Sequence, residues 1–253
     1  MADPALPNLT TGLQAWWKLD EESGNAADAH GSHTLTNNNT VTFVPGKVGS
    51  AAALVIASNH YFSEADTAAF SMGNNDLSFV VWVKFDSVAS DQALFGKWVN
   101  SAGDQEYFCR LDSVSGFIDF AIYDGTNFID DVSDDTTILI DTWYMVVVYH
   151  DAANNLIGIS VNGSQFITSA TGGTAPGDST TEFTLGALST PNNLLGGNLD
   201  EIAVWRDRVL LFGDVNWLYN GGNGRTYKDV FNPLVEADIH LKLAPVGDVA
   251  FVL

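Results

Sequence analysis

The side chains of this chain that could do chemistry are mostly carboxylates, and they gather at two glycine-punctuated places. Gly196-Gly197-Asn198-Leu199-Asp200-Glu201 sets an acid pair just after a double glycine. Leu19-Asp20-Glu21-Glu22-Ser23-Gly24, followed by Asp28-Ala29-His30-Gly31, is a second acidic stretch near the other end. Oxygen-rich turns of this kind suit a hard cation, which takes several carboxylate and carbonyl ligands. They suit general acid–base catalysis less well. In Asp20-Glu21-Glu22 and Asp200-Glu201 the acids are adjacent, so they point to opposite faces of a strand or sit in loops. Asp130-Asp131 and Asp134-Asp135 flank a polar turn and read as solvated surface.

Other chemistries find little support. Gly158-Ile159-Ser160-Val161-Asn162 ends in Asn where a nucleophile elbow needs Gly, and it sits inside a strand pattern. His30, His33, His60, His150 and His240 show no H-E-x-x-H or other tight ligand spacing. Gly221-Gly222-Asn223-Gly224 lacks the Lys and the preceding strand of a phosphate loop. The single cysteine, Cys109, excludes an internal disulfide and reads as a buried thiol in Glu106–Leu111. With 31 acidic against 10 basic residues, the formal charge of −21 opposes nucleic acid, anionic membranes and polyanionic glycans. Neutral ligands and cations remain. Sugar binding combines aromatic platforms with planar polar groups, because pyranose rings present both C–H faces and hydroxyls. Trp98, Tyr107, Arg110, Asp112, Tyr123 and the Asn192-Asn193 loop have those side chains, with a core or surface role as the alternative for each.

These residues need a scaffold, and the chain alternates as strands do. Leu13, Ala15, Trp17 and Leu19 alternate against Gln14, Trp16 and Lys18, and the strand runs straight into the first acidic loop. In Leu77–Phe85, Leu77, Phe79, Val81, Val83 and Phe85 share one face while Val80 and Trp82 lie on the other. That strand is therefore covered in part on both sides. Further strands are expected at 93–98, 107–111, 117–123, 143–149, 157–161 and 182–185, separated by Gly, Asn and Asp turns. One helix is expected over Gly213–Asn220, with Val215, Leu218 and Tyr219 on one face and Gly221-Gly222 as its stop. The fold class is all-β, an antiparallel two-sheet sandwich with one short C-terminal helix.

Residues 1–11 read as an extended arm, 12–228 as one domain, and 229–253 as a C-terminal extension with an apolar end at Val249-Ala250-Phe251-Val252-Leu253. Met1–Pro7 has neither the basic start nor the apolar run of a secretory signal, and no stretch is long enough to span a bilayer. The expectation is a soluble chain made without export and without membrane insertion.

Collinear segments resemble the laminin-G-like, concanavalin A-like jelly rolls. They are Gly12–Glu21, Ser23-Gly24, Asp28–Gly31, Pro45–Ala51, Leu77–Lys84, Asp141–Val146, Val161-Asn162-Gly163, Gly197–Ile202 and Trp217–Gly222. The resemblance covers about 12–228 and implies two face-to-face antiparallel sheets, one curved into a concave face. It also implies a structural Ca2+ between the early acidic loop and the closing Asp. Asp28 and Asp200 match the side-chain positions, with backbone carbonyls such as Gly31 and His33 completing the shell. Hydrolases on this scaffold carry E-x-D-x-x-E, which is absent here, so the chain is expected not to be an enzyme, with a glycoside hydrolase the weaker alternative. The expected function is a non-catalytic glycan or cell-surface recognition module. The alternative is a phage virion decoration subunit, a homo-oligomer or capsid or tail component docked through residues 231–253. Either places the chain on a virion or an extracellular surface.

Overall fold

The computed structural model describes residues 7–188 and 192–231. The assembly role expected for 231–253 and the apolar C-terminal end therefore fall outside the described residues beyond Phe231. In chain order the strands are β1 (Leu13–Trp17), β2 (Thr36–Asn38), β3 (Thr42–Pro45), β4 (Ser50–Leu54), β5 (Tyr61–Glu64), β6 (Leu77–Phe85), β7 (Gln92–Trp98), β8 (Gln105–Leu111), β9 (Ile118–Gly125), β10 (Phe128–Asp134), β11 (Trp143–Asp151), β12 (Leu156–Val161), β13 (Ile167–Ala170), β14 (Phe183–Leu185) and β15 (Gly197–Arg206). One sheet runs β13-β12-β11-β6-β15-β4-β3, with β1 also on β15, and the other runs β10-β9-β8-β7-β14-β5-β2. All pairings are antiparallel. The expected all-β sandwich is what forms.

The alternation in β6 explains the layering. Phe79, Val81, Val83 and Phe85 face the other sheet and meet Phe95, Tyr107, Phe120 and Phe183 in the central core. Val80 and Trp82 face the other way and join Trp16, Trp205, Met145 and Leu218 in a second cluster. Each such side chain contributes about 1.5–3 kcal/mol on burial, so both faces of this sheet are held by apolar packing. The second cluster is capped by α1 (Phe212–Tyr219), whose Val215 and Leu218 are buried. Residues 7–11, expected as part of an arm, are turns packed on this cluster. Leu9 is 1% exposed, and its carbonyl accepts the Trp205 indole N–H at 2.8 Å.

Three local readings needed correction. α1 ends at Asn220, which takes the left-handed conformation (φ 50°, ψ 46°), so the stop precedes the double glycine. A second short helix, α2 (Tyr227–Phe231), crosses the expected domain limit at 228. Asp130, Asp131 and Asp134, expected as solvated surface flanking a polar turn, lie in strand β10, where Asp131 is exposed but Asp134 is buried. β10 is an edge strand, where charge is tolerated and discourages further pairing.

A buried ion cluster pins the loops to this sheet. Lys97 Nζ lies 2.7 Å from Glu106 Oε1 and 2.6 Å from Asp66 Oδ1 and donates to Ser71 Oγ at 2.7 Å. Glu106 in turn accepts the amides of Met72 (3.0 Å) and Ser179 (2.8 Å).

β15 organises the other sheet. One edge pairs with β6, while the opposite edge pairs first with β4 over Gly197–Leu199 and then with β1 over Ile202–Trp205. The exchange falls at Asp200-Glu201, where the register shifts and Glu201 adopts φ 45°, a left-handed conformation rare for a residue with a Cβ. Gly197 (φ 146°) is required by space as well, since a Cβ there would lie 2.1 Å from the Lys84 carbonyl oxygen.

Candidate functional site

The acid pair of β15 sits inside the protein. Asp200 is 0% and Glu201 2% exposed. Asp200 Oδ2 accepts the amides of Lys47 (2.7 Å) and Val48 (2.8 Å), fastening the 46–49 turn onto β15. Glu201 Oε2 accepts the Trp16 indole N–H. Asp200 Oδ1 and Glu201 Oε1 are buried without a hydrogen-bond partner. Burial pushes the Asp200 carboxyl up to about 8 and that of Glu201 to about 9, so both hold protons at neutral pH.

Asp28 does not join them. Its Oδ1 accepts the amides of Trp16 (3.0 Å) and His30 (2.8 Å), and its Oδ2 those of Gly31 (2.9 Å) and His33 (3.1 Å). A carboxylate offers about four acceptor positions, and backbone amides fill them. The His33 carbonyl, expected as a calcium ligand, accepts the Trp17 indole N–H. Among the described residues no group of three or more His, Cys, Asp or Glu could hold a metal ion. As it stands, Asp28 spends its acceptor positions on backbone amides, which a calcium ion at the site that the resemblance implies would have to displace. The two acidic regions are nonetheless linked, through Trp16, whose amide serves Asp28 and whose indole serves Glu201.

The outer face of the seven-stranded sheet is different in kind. Register across β7, β8, β9 and β10 lays out three rows. The first is Ala93, Arg110, Asp119 and Ser133, and the second Gly96, Phe108, Ala121 and Asp131; the third, Trp98, Tyr123 and Phe128, is joined by ring contacts where register shifts interrupt the pairing. Trp98 lies 5.8 Å from Phe108 and 6.0 Å from Tyr123, centroid to centroid, and Tyr123 lies 5.7 Å from Phe128. Phe128 is 54% exposed, and the Trp98 indole N–H has no hydrogen-bond partner. Gly96 makes room for Leu188 beside Phe108, since a Cβ there would meet Leu188 Cδ2 at 2.8 Å.

Beside the rings, Arg110 Nη1 donates to Asp91 Oδ2 (2.9 Å) and its Nε to Asp119 Oδ1 (3.2 Å). Its guanidinium stacks 5.0 Å from the Phe108 ring. Burial raises the Asp119 carboxyl to about 6 against the pull of Arg110. Asp91 also lines an open cleft of ≈ 340 Å³ with Ile56, Ser90, Asn192, Asn193 and Leu194.

The structure thus brings Trp98, Arg110 and Tyr123 onto one face, with Asn192 and Asn193 in the adjoining cleft. It does not bring Tyr107 or Asp112 there. Tyr107 is 0% exposed, points between the sheets and donates its hydroxyl to the Phe70 carbonyl at 2.6 Å. Asp112 accepts the amides of Val114 (3.1 Å) and Ser115 (3.3 Å) in a hairpin turn. Phe108, Phe128, Asp91 and Asp119 were missed. Period-2 alternation in β8 would have found Phe108, which shares its face with Arg110.

A laminin G family model, described as the concanavalin A-like lectin/glucanases superfamily, matches residues 57–211. No curated protein sequence matches significantly. Among solved structures, the binding domain of Paraclostridial Mosquitocidal Protein 1 is similar at TM-score 0.67 and 15% identity, over 83% of this chain and 52% of that one. The botulinum neurotoxin serotype D ligand binding domain, in complex with N-acetylneuraminic acid, gives 0.61 and 10% over 83% and 51%. Trypanosoma rangeli sialidase, in complex with a difluoro-nononic acid, gives 0.63 and 14% over 89% and 37%. This chain thus spans about half the length of the toxin domains it matches.

Proposed function

Because this chain belongs to the concanavalin A-like lectin/glucanases superfamily, we propose that it is a non-catalytic recognition module that binds glycans through the outer face of its seven-stranded sheet. The carrying observation is the partly open aromatic row Trp98–Tyr123–Phe128 beside the hydrogen-bonding groups of Arg110, Asp91 and Asp119. Rings offer C–H faces of a pyranose a platform, and the neighbouring carboxylates of Asp91 and Asp131 offer acceptors to its hydroxyls. The toxin domains of similar fold, named as binding domains, support a surface glycan or receptor as the partner.

A catalytic reading has less to stand on. The acids with the most perturbed protonation, Asp200 and Glu201, are enclosed and engaged with the 46–49 turn and Trp16. Asp91 and Asp119 are both engaged by Arg110. A glycan array probed with wild type and Trp98→Ala tests the proposal. Binding in wild type, lost by at least about tenfold in the variant at unchanged Tm, is the expected result, because stacking on one ring is worth about 1–3 kcal/mol. Equal binding by both proteins refutes the assignment of this face.

A further inference from the structure

The charges around the aromatic row bear on which sugars it accepts, an inference that rests on the glycan-binding reading above. Arg110 is the cation among the three rows, and its hydrogen-bonding edges are already used. Nε serves Asp119 and Nη1 serves Asp91, so neither pair of adjacent guanidinium nitrogens is free to grip an incoming carboxylate. Asp91 is itself held from its other side by the Ser113 amide (3.0 Å) and hydroxyl (2.7 Å), which fixes the clamp in place.

The remaining charges are negative. Asp131 stands exposed beside Ala121, and its field acts on both Asp119 and the Tyr123 hydroxyl. Asp112, at the rim, acts on Asp119 as well. Three carboxylates, Asp91, Asp119 and Asp131, therefore lie in or against the rows for one guanidinium, with Asp112 beyond them at the rim, on a chain of formal charge −21. A ligand bearing its own carboxylate or sulfate would be brought against like charge in a partly desolvated place, with no cation to receive it.

We infer that this face selects uncharged pyranosides and rejects sialylated, uronic and sulfated glycans. Discrimination comes from repulsion by Asp91, Asp119 and Asp131 and from an arginine locked by two of them. Affinity comes from the rings.

Matched pairs differing by one acidic sugar give the test. N-acetyllactosamine and its α2,3-sialylated form, with other neutral and acidic pairs on an array, are compared by titration at low and high salt. The neutral member should bind at least about tenfold more tightly at low salt, the gap narrowing at high salt as like-charge repulsion is screened. Asp91→Asn with Asp131→Asn should narrow the gap by about threefold or more, since it removes two repelling charges and turns the Asp91 ion pair with Arg110 into a neutral contact. Tighter or equal binding of the sialylated member overturns the inference while leaving the glycan-binding reading intact. A gap that the double variant does not change overturns the charge argument. Absence of binding to any array glycan overturns the functional reading, and the selectivity falls with it.

Discussion

Replacing Asp200 by Asn separates a neutral hydrogen-bond acceptor from a charged or metal-binding one. Asp200 Oδ2 takes two amides, from Lys47 and Val48, while Oδ1 is enclosed without a partner. An Asn carbonyl has two lone pairs and can accept both amides, with its NH2 in the place of the protonated Oδ1. Burial raises the folded-state carboxyl to about 8 from its ordinary value of 3.8. A raised carboxyl stabilises the folded state fully below the unfolded value, and that contribution is lost as pH climbs through the folded one, then levels off. Wild type therefore loses stability from this group between about pH 4 and pH 8, at roughly 1.4 kcal/mol per unit where the folded form alone holds the proton. Asp200→Asn does not titrate. Its stability relative to wild type should rise from pH 5 to pH 8 by up to about 4 kcal/mol, three units of that slope. Comparing the two proteins at the same pH cancels most of the general repulsion of an acidic chain. Urea unfolding at pH 5, 6.5 and 8 reads the difference. A difference that stays constant across this range means that Asp200 is ionised when folded, and the account of the latch is then wrong.

Asp28 should behave as an amide cap rather than a metal ligand: chelator and added calcium leave Tm unchanged, because nothing binds the native state there. Asp28→Ala should cost about 2–4 kcal/mol in chemical denaturation, since it strands four backbone amides. A chelator-induced fall in Tm refutes this. At the other sheet, Lys97→Met should cost about 3–5 kcal/mol by leaving Glu106 buried without its partner. Adding Glu106→Gln should recover a good part of that loss, and if the double variant is no more stable than the single one, the ion pair is not the cause.

Much of the scaffold was legible because alternation survives burial. The two-sided cover of β6 followed directly from Val80 and Trp82 facing away from Phe79 and Val81. β10 was not legible, since Phe128–Asp134 carries three acids and only its edge position explains why they are tolerated. Tyr107 and Phe108 show a finer limit. Register against β9 runs unbroken from Tyr107 to Leu111, so alternation sets Phe108 on the face of Arg110 and Tyr107 on the opposite one. Residue type alone made Tyr107 the attractive sugar contact, while its neighbour Phe108 faces outward. Asp28 shows a different limit. A sequence displays the carboxylate but hides the donors, and here the donors are the amides of its own loop and of β1.

The two outer faces of the sandwich explain why recognition belongs on one of them. On the eight-stranded sheet, Trp16, Trp82 and Trp205 are numerous enough to make a platform, yet α1, α2 and the turns at 7–11 close over them. Their polar edges are spent internally, the Trp16 indole on Glu201 and that of Trp205 on the Leu9 carbonyl. On the seven-stranded sheet the aromatic row keeps an exposed Phe128, and among the described residues no helix packs over it. The latch built from Asp200, Glu201 and Asp28 belongs to the closed side, where it joins β15 to the 46–49 turn and to β1. The other sheet is left to carry ring faces that folding does not cover, which is the condition a recognition surface has to meet.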